Sequence, residues 1–443
     1  MASTYLQRNT SATDTGTKFT LSVWVKRSGL DSNNAIYKAS NDNNTNSFID
    51  IGINSHRFDW QIKNGSGTTF IRRRTNRLLR DTSGWYHLVA RYDSTLGTAS
   101  DRLRIYINGV LETSIDQDST PDIPQNYSSQ LALSGVVQYI GRNINNATQF
   151  WNGSMSHYHM CVGYSYAPTE FGETDSTTGE WKIKTSPSVS YGNNGWLILK
   201  DGNTITDQSS GSNDWSLAGG TLTKTEDCPS NVFCTIGNTL FANKGIKTVG
   251  NGGTTITASS ASNWDSVMGN LGASTGKYYF EMKITDTYNN EHNIFIGIVD
   301  TETVNQSTSQ SDNKFANTSG GYGYRGSGAK VHNSTQTNSW GNAWSTNDII
   351  GCAMDLDNSK IYFSINGTWQ SSGDPTSGST GTGAAYTLTS GKFYVPATSM
   401  YYTQDDVAFN FGNGYFGTTQ VSSAGANASG NGIFEYDVPT GYT

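Results

Sequence analysis

Lys360-Ile-Tyr-Phe-Ser-Ile-Asn-Gly-Thr368 decides the fold. Ile361, Phe363 and Ile365 alternate with Lys360, Tyr362 and Ser364, the period-two pattern of a strand with one buried face. The Asn-Gly that follows predicts a tight type I′ hairpin, whose two central residues need positive φ. The same design stands in the other half of the chain as Arg104-Ile-Tyr-Ile-Asn-Gly-Val110. Each copy follows an acidic turn, Asp355 to Asn358 in one case and Asp93 to Asp101 in the other. Two such copies predict two sandwiches of related design.

The alternation extends outward from these hairpins. Phe19, Leu21, Val23 and Val25 share one strand face, as do Phe280, Met282 and Ile284, then Ile294, Ile296 and Ile298, then Val407, Phe409 and Phe411. This pattern marks antiparallel strands. Helical periodicity is lacking, and Ala167-Pro-Thr-Glu-Phe171 is read as at most one turn. The predicted fold class is all-β: two concanavalin-like antiparallel β-sandwiches of jelly-roll type in tandem. Asp201 to Gly220 is dense in Asp, Asn, Ser and Gly, and Cys228-Pro229 interrupts any strand. The boundary is therefore placed near residue 225, giving a first domain over 1–225, with a joining tract from about 170 to 225, and a second over 226–443.

Composition agrees. At 443 residues the chain is sized for two sandwiches, and 49 Gly and 24 Tyr with only 15% charged residues suit short strands and many turns. A net charge of −7 argues against duplex nucleic acid as the main partner. No apolar run reaches the length of a membrane span. Met1 to Thr10 holds no apolar core of a secretory signal, so an extracellular role would need release by lysis. The four cysteines, Cys161, Cys228, Cys234 and Cys352, lack metal-site spacing. Cys352 reads as a core thiol, and Cys228 with Cys234 could bridge a short loop.

The first half resembles the laminin-G/pentraxin-like branch of the concanavalin A-like lectin/glucanase superfamily. The residues that carry this are Phe19 to Arg27, Gly84-Trp-Tyr-His-Leu-Val-Ala90, Leu103 to Gly109, Tyr139-Ile-Gly-Arg-Asn143 and Phe150-Trp-Asn-Gly153. The second half resembles a SPRY (B30.2-like) domain. Its motifs run in the family's order: Gly276-Lys-Tyr-Tyr-Phe-Glu-Met-Lys-Ile284, Phe295-Ile-Gly-Ile298, Gly321-Tyr-Gly-Tyr324, Asn347-Asp-Ile-Ile-Gly-Cys-Ala-Met-Asp-Leu-Asp357, Tyr362-Phe-Ser-Ile-Asn-Gly367 and Phe409-Asn-Phe-Gly412. Between them, Thr169-Glu-Phe-Gly-Glu173, Tyr191-Gly-Asn-Asn-Gly-Trp196 and Asp207-Gln-Ser-Ser-Gly-Ser-Asn-Asp-Trp215 look like a linkage found in structural proteins of marine bacteriophages, including cyanophages. That resemblance implies a virion surface protein, made in the host cytoplasm and released by lysis.

Several residue groups carry candidate chemistry. Glucanases need two carboxyl groups about 5–10 Å apart. The nearest pairs, Asp116 with Asp118, Asp355 with Asp357, and Asp405 with Asp406, sit at strand ends and turns and read as turn formers, which predicts a protein that is not an enzyme. His157 and His159 are two apart, so an unbroken strand would turn both one way, as a zinc pair requires; ordinary strand histidines are the competing reading. Laminin-G and pentraxin relatives often bind calcium, and the loops Asp42, Asn43, Asn44 and Asn143, Asn145, Asn146 offer oxygen ligands, though in no spaced pattern. No cofactor is otherwise expected.

Arg72, Arg73, Arg74, Arg77 and Arg80 form a basic cluster that could meet an anionic partner or a neighbouring subunit, or could be a solvated strand edge. Tyr322, Tyr324, Trp340, Trp344 and Trp369 lie in or near Gly-, Ser- and Asn-rich stretches and are the candidate contacts for a glycan or protein receptor. The resulting expectation is a phage adhesin on a tail fibre or tail tip that recognises host surface glycan. The alternatives are a head or tail decoration that holds other virion subunits and, more weakly, a polysaccharide-degrading enzyme. A fibre location predicts a homo-oligomer, a trimer.

Overall fold

The computed structural model describes residues 4–41, 48–63, 69–118, 122–143, 148–200, 204–237, 248–257, 264–290, 292–304, 314–422, 425–426, 430 and 432–443. The chain divides into two compact units, Met1–Lys224 and Thr225–Thr443. Both are built from antiparallel strands, with single 3₁₀ turns such as Pro168–Glu170 as the helical element. The all-β reading holds.

In the first unit, Lys18–Arg27 pairs with Tyr86–Asp93 on one side and with Gly153–Val162 on the other. These strands centre a sheet of six among the described residues. The facing sheet, of eight, runs from Ile115–Asp118 through Arg57–Lys63 and Asn33–Ser40 to Tyr5–Asn9 and Ser216–Gly219. Phe19, Leu21, Val23 and Val25 enter the core between the sheets, as their alternation requires, and meet Ile49, Ile51, Trp60 and Tyr92 there. Leu88, Ala90, Leu103, Ile105 and Ile107 fill the same layer. At about 25 cal/mol per Å² of apolar surface, this burial is the main stabilising term.

The second unit repeats the plan. Ile294–Asp300 lies between Gly321–Arg325 and Tyr394–Met400 in one sheet, and Lys277–Asp286 lies between Asp406–Asn410 and Ile349–Asp355 in the other. Phe280, Met282, Ile284, Ile296, Ile361, Phe363 and Phe409 share the core. The two Asn-Gly hairpins form as expected: Asn108 and Gly109 have φ of 49° and 79°, and Asn366 and Gly367 have 47° and 78°. Each Asn also accepts, through its side-chain oxygen, the amide of a neighbouring strand, His87 or Ile349.

The joining tract does not hang free. Its first part packs over the outer face of the six-stranded sheet, where Trp24, Trp85, Trp181 and Ile183 form a small cluster. Its second part is tied to the N-terminal strand: Asn194 donates to the carbonyls of Ala12 and Leu131, and Arg8 donates to Asn213. Asp207 accepts from the amides of Leu197, Ser209 and Asn213 and from the Ser209 hydroxyl. From residue 204 onward, the Asn- and Asp-rich stretch is thus an ordered part of the first unit. Side-chain bonds there satisfy backbone groups that no ladder reaches.

Among the described residues the cysteines form no disulfide. Cys161 and Cys352 are buried, whereas Cys228 sits in a tight turn with Asn231, its sulfur 3.3 Å from the Ser230 hydroxyl. The Cys228–Cys234 bridge considered from spacing is therefore not formed.

Candidate functional site

The corner of the second sandwich beside Lys330–His332 carries the candidate site. Tyr322 and Tyr324 alternate on the inner face of Gly321–Arg325 and pair across the sheet with His332 and Lys330. Both tyrosines are core residues, 2% and 0% exposed. The ring of Tyr322 stacks on His332 at 4.2 Å, and that of Tyr324 lies 5.4 Å from Phe363. Trp344 is 2% exposed and packs beside Tyr324. The expectation that these three rings contact a receptor is corrected: alternation and core packing turn them inward.

Trp340 and Trp369 stay half-buried. Trp369 leans on Tyr279 at the other sheet, 6.4 Å between centroids, in a cluster away from Trp340. Trp340 stands edge-on to Tyr324 at 5.3 Å and meets a group that composition did not reveal, the ammonium of Lys330. Lys330 Nζ donates to the Ala385 carbonyl at 2.7 Å and lies 4.8 Å from the centre of the Tyr386 ring and 5.7 Å from that of Trp340. Burial pushes its pKa down from the ordinary lysine value. The adjoining residues 333–339, Asn-Ser-Thr-Gln-Thr-Asn-Ser, are all exposed. The corner therefore presents one indole, one phenol ring and one ammonium beside a row of amides and hydroxyls. Such a set can stack on a pyranose face and bond its hydroxyls.

The basic cluster is largely spent inside the first unit. Arg72 grips Asp59 with two bonds of 3.0 and 2.9 Å, Arg74 pairs with Asp116 and Asn54, and Arg77 pairs with Glu112 at 2.9 Å. Arg73 turns inward, 8% exposed, and donates to the carbonyls of Ser100 and Leu103. Arg80 alone of the five is exposed without an ion pair among the described residues. An open anion-binding patch is corrected to a set of ion pairs, because Asp59 and Asp116 on the two flanking strands, and Glu112 nearby, reach the arginines.

The two histidines of the zinc reading stand at a β-bulge. The register between Gly153–Val162 and Lys18–Arg27 shifts between Ser156 and His159, and His157 takes a φ of 47°. This bulge breaks the alternation that would set both rings on one face. His157 Nδ1 meets Ser156, and His159 Nδ1 meets the Tyr191 hydroxyl at 2.9 Å. Burial holds His159 well below the usual histidine range. Of the calcium loops, Asp42, Asn43, Asn44, Asn145 and Asn146 lie outside the described residues; Asn143 bonds within its own loop, to Thr148 and Gln149.

The aspartates considered for catalysis serve turns. Asp355 is buried, accepts from the backbone and side chain of Asn358 and pairs with Lys277. Asp357 caps the Gly276 amide at 2.7 Å, and Asp405 accepts from the amides of Tyr288, Tyr401 and Tyr402. Asp116 is held by Arg74; the Asp118 side chain lies outside the described residues.

Sequence reasoning missed Glu281. Its carboxylate is 0% exposed, and burial raises its pKa to about 7. Tyr279 and the Tyr436 amide donate to Oε1 at 3.1 and 2.9 Å; Asn410 and the Glu435 amide donate to Oε2 at 3.1 and 3.0 Å. Four donors converge on a group with no route to solvent, which makes it a clasp for the C-terminal segment. Alternation sets Glu281 on the outward-reading face with Tyr279 and Lys283, and the C-terminal segment that covers that face leaves no local signal at the strand.

With this geometry in place, the chain is defined as a pair of antiparallel β-sandwiches. The first carries a domain of the concanavalin A-like lectin/glucanases superfamily, matched over residues 1–161, and the second carries a SPRY domain, matched over residues 277–414. A stretch of 104 residues is 33% identical to the ATP-dependent RNA helicase DDX1 of Xenopus laevis, covering 24% of this chain and 12% of that protein. The chain thus spans about an eighth of the length of that relative. Among solved structures, the SPRY domain of human HERC1 is similar at 17% identity and a TM-score of 0.29, over 37% of this chain and 91% of that one. The native heptameric SAP-like pentraxin from Limulus polyphemus is similar at 13% identity and a TM-score of 0.27, over 35% of this chain and 69% of that one.

Proposed function

We propose that this chain is a non-enzymatic adhesin on the surface of a phage particle, at a tail fibre or tail tip, recognising host surface glycan through its second sandwich. The observation that carries the binding reading is the corner at Trp340, Lys330 and Tyr386. It is the place where one half-buried ring of the candidate set, Trp340, and the ring of Tyr386 meet a cation and exposed amides. The non-enzymatic reading is supported by Asp116, Asp355, Asp357 and Asp405, each of which is engaged by turn amides or a neighbouring cation. The virion placement rests on the resemblance of residues 169–215 to the linkage in marine phage structural proteins. That the tract is an ordered part of the first unit gives a physical reason for such a segment to travel with its sandwich.

The test is retention of purified protein on intact bacterial cells, before and after periodate oxidation of their surface sugars, with antibody labelling of phage particles alongside. Saturable retention lost on oxidation, with label at the tail, supports the adhesin. No retention, with label along the head or tail tube, favours the second reading, a decoration holding other virion subunits. The many exposed edge residues, such as Leu217 at 42% and Val110 at 57%, would serve that role.

A further inference from the structure

We propose that Lys330, framed by Trp340 and Tyr386, is the anchor of a site for an acidic sugar, one that carries a carboxylate. This deepens the adhesin reading and rests on it. The argument begins with charge balance. Lys38 pairs with Asp50, Lys277 with Asp355, Lys392 with Asp300 and Glu302, and Arg72 with Asp59. Lys330 has one backbone carbonyl and two ring faces, and no carboxylate among the described residues.

A half-buried ammonium is costly to leave without a counter-charge, and burial already depresses its pKa. Ala385 takes one of its three N–H groups, which leaves two for an incoming anion. An ionised carboxylate placed there makes charge-assisted bonds, roughly twice as strong as neutral ones. The rings fix the rest of the ligand class. An aromatic face favours the C–H face of a pyranose, which phosphate and simple carboxylates lack. The exposed Asn333 and the amide nitrogen of Asn338, whose oxygen accepts from Gln336, offer bonds to ring hydroxyls. An acidic pyranose, such as a uronic or sialic acid, satisfies ammonium, ring and amides together.

The experiment uses the full chain and titrates it with oligosaccharides of galacturonic, mannuronic and sialic acid. The same oligosaccharides with their carboxyl groups reduced to alcohols serve as partners, and binding is read by calorimetry and tryptophan fluorescence. We expect at least one acidic series to bind and its reduced counterpart to bind at least tenfold more weakly. Lys330→Met should remove that difference, while Lys392→Met, a surface ammonium already paired with Asp300 and Glu302, should keep it. Equal binding of acidic and reduced sugars, or no binding of any acidic series, overturns the inference, and both results come from the unaltered protein. Retention on cells that persists in Lys330→Met, together with equal binding of the two series, would sink the acidic-sugar site and leave the adhesin reading standing.

Discussion

His87 donates through Nε2 to Ser22 and accepts the indole N–H of Trp181 at Nδ1, 3.0 Å away, with its ring stacked between Trp24 and Trp181. An indole N–H can only donate, so Nδ1 must be unprotonated and the ring neutral. A strap of the joining tract is therefore pinned to the six-stranded sheet by a histidine that cannot take a proton without losing the pin.

Burial lowers the His87 pKa from its ordinary 6.5 to about 3. The unfolded chain then binds more protons than the folded one between those values, so stability of the first unit falls as pH drops from 6.5 towards 3. The slope approaches ~1.4 kcal/mol per pH unit from this group, and His159 adds to it with the same sign. Thermal unfolding of the first unit, followed from pH 7 to 4, should show this fall, and His87→Phe should flatten it. An unchanged slope in the variant would refute the assignment.

Glu281 acts in the opposite sense in the second unit. Its pKa is raised from 4.5 to about 7, so its contribution is fully present below pH 4.5 and is lost as pH rises through 7. Glu281→Gln turns an amide towards groups that are themselves donors and should cost about 1–3 kcal/mol. Hydrogen exchange at the Glu435 and Tyr436 amides should speed up in the variant before global unfolding. Exchange as slow as in the parent would contradict the clasp.

Gly172 lies against Trp181, and a Cβ there would fall 2.6 Å from the indole. Gly172→Ala should displace the strap and cost about 1–3 kcal/mol by overpacking. A red shift in tryptophan emission is the expected readout, and a parent-like spectrum with unchanged melting would count against it.

Trp344 and Trp340 should separate cleanly. Trp344→Ala empties a buried site and should cost about 3–5 kcal/mol in the second unit, whatever it does to binding. Trp340→Leu, at a half-buried position, should lower the melting temperature much less. Tyr386→Phe should be near neutral or stabilising, since its buried hydroxyl has no partner among the described residues. Calorimetric melting of the three variants checks the order.

The fold was largely legible because alternation and Asn-Gly turns are local signals. Ile361, Phe363 and Ile365 announce their face, and Asn366-Gly367 announces the turn that follows. The site was legible only in part. Tyr322 and Tyr324 already showed the alternation of a buried strand, and their neighbouring glycines drew attention away from it. Arg72 and Arg74 read as free charge because Asp59 and Asp116 reach them across strands rather than along the chain. Lys330 and Tyr386 stand 56 positions apart in sequence and meet only through the pairing of Lys360–Ile365 with Tyr386–Thr387 and the closure of the sandwich corner. No local pattern carries that meeting. The bulge at His157 left no mark in the sequence because it depends on the partner strand.

The most direct test of the account measures retention and hydrolysis together on immobilised bacterial surface polysaccharides. Protein held on the polysaccharide and new reducing ends released from it are followed in the same samples, for the parent and for Trp340→Leu. The account predicts saturable retention by the parent, at least tenfold weaker retention by the variant at parent-like melting temperature, and no release of reducing ends by either. Release of reducing ends, or retention indifferent to Trp340, would contradict it.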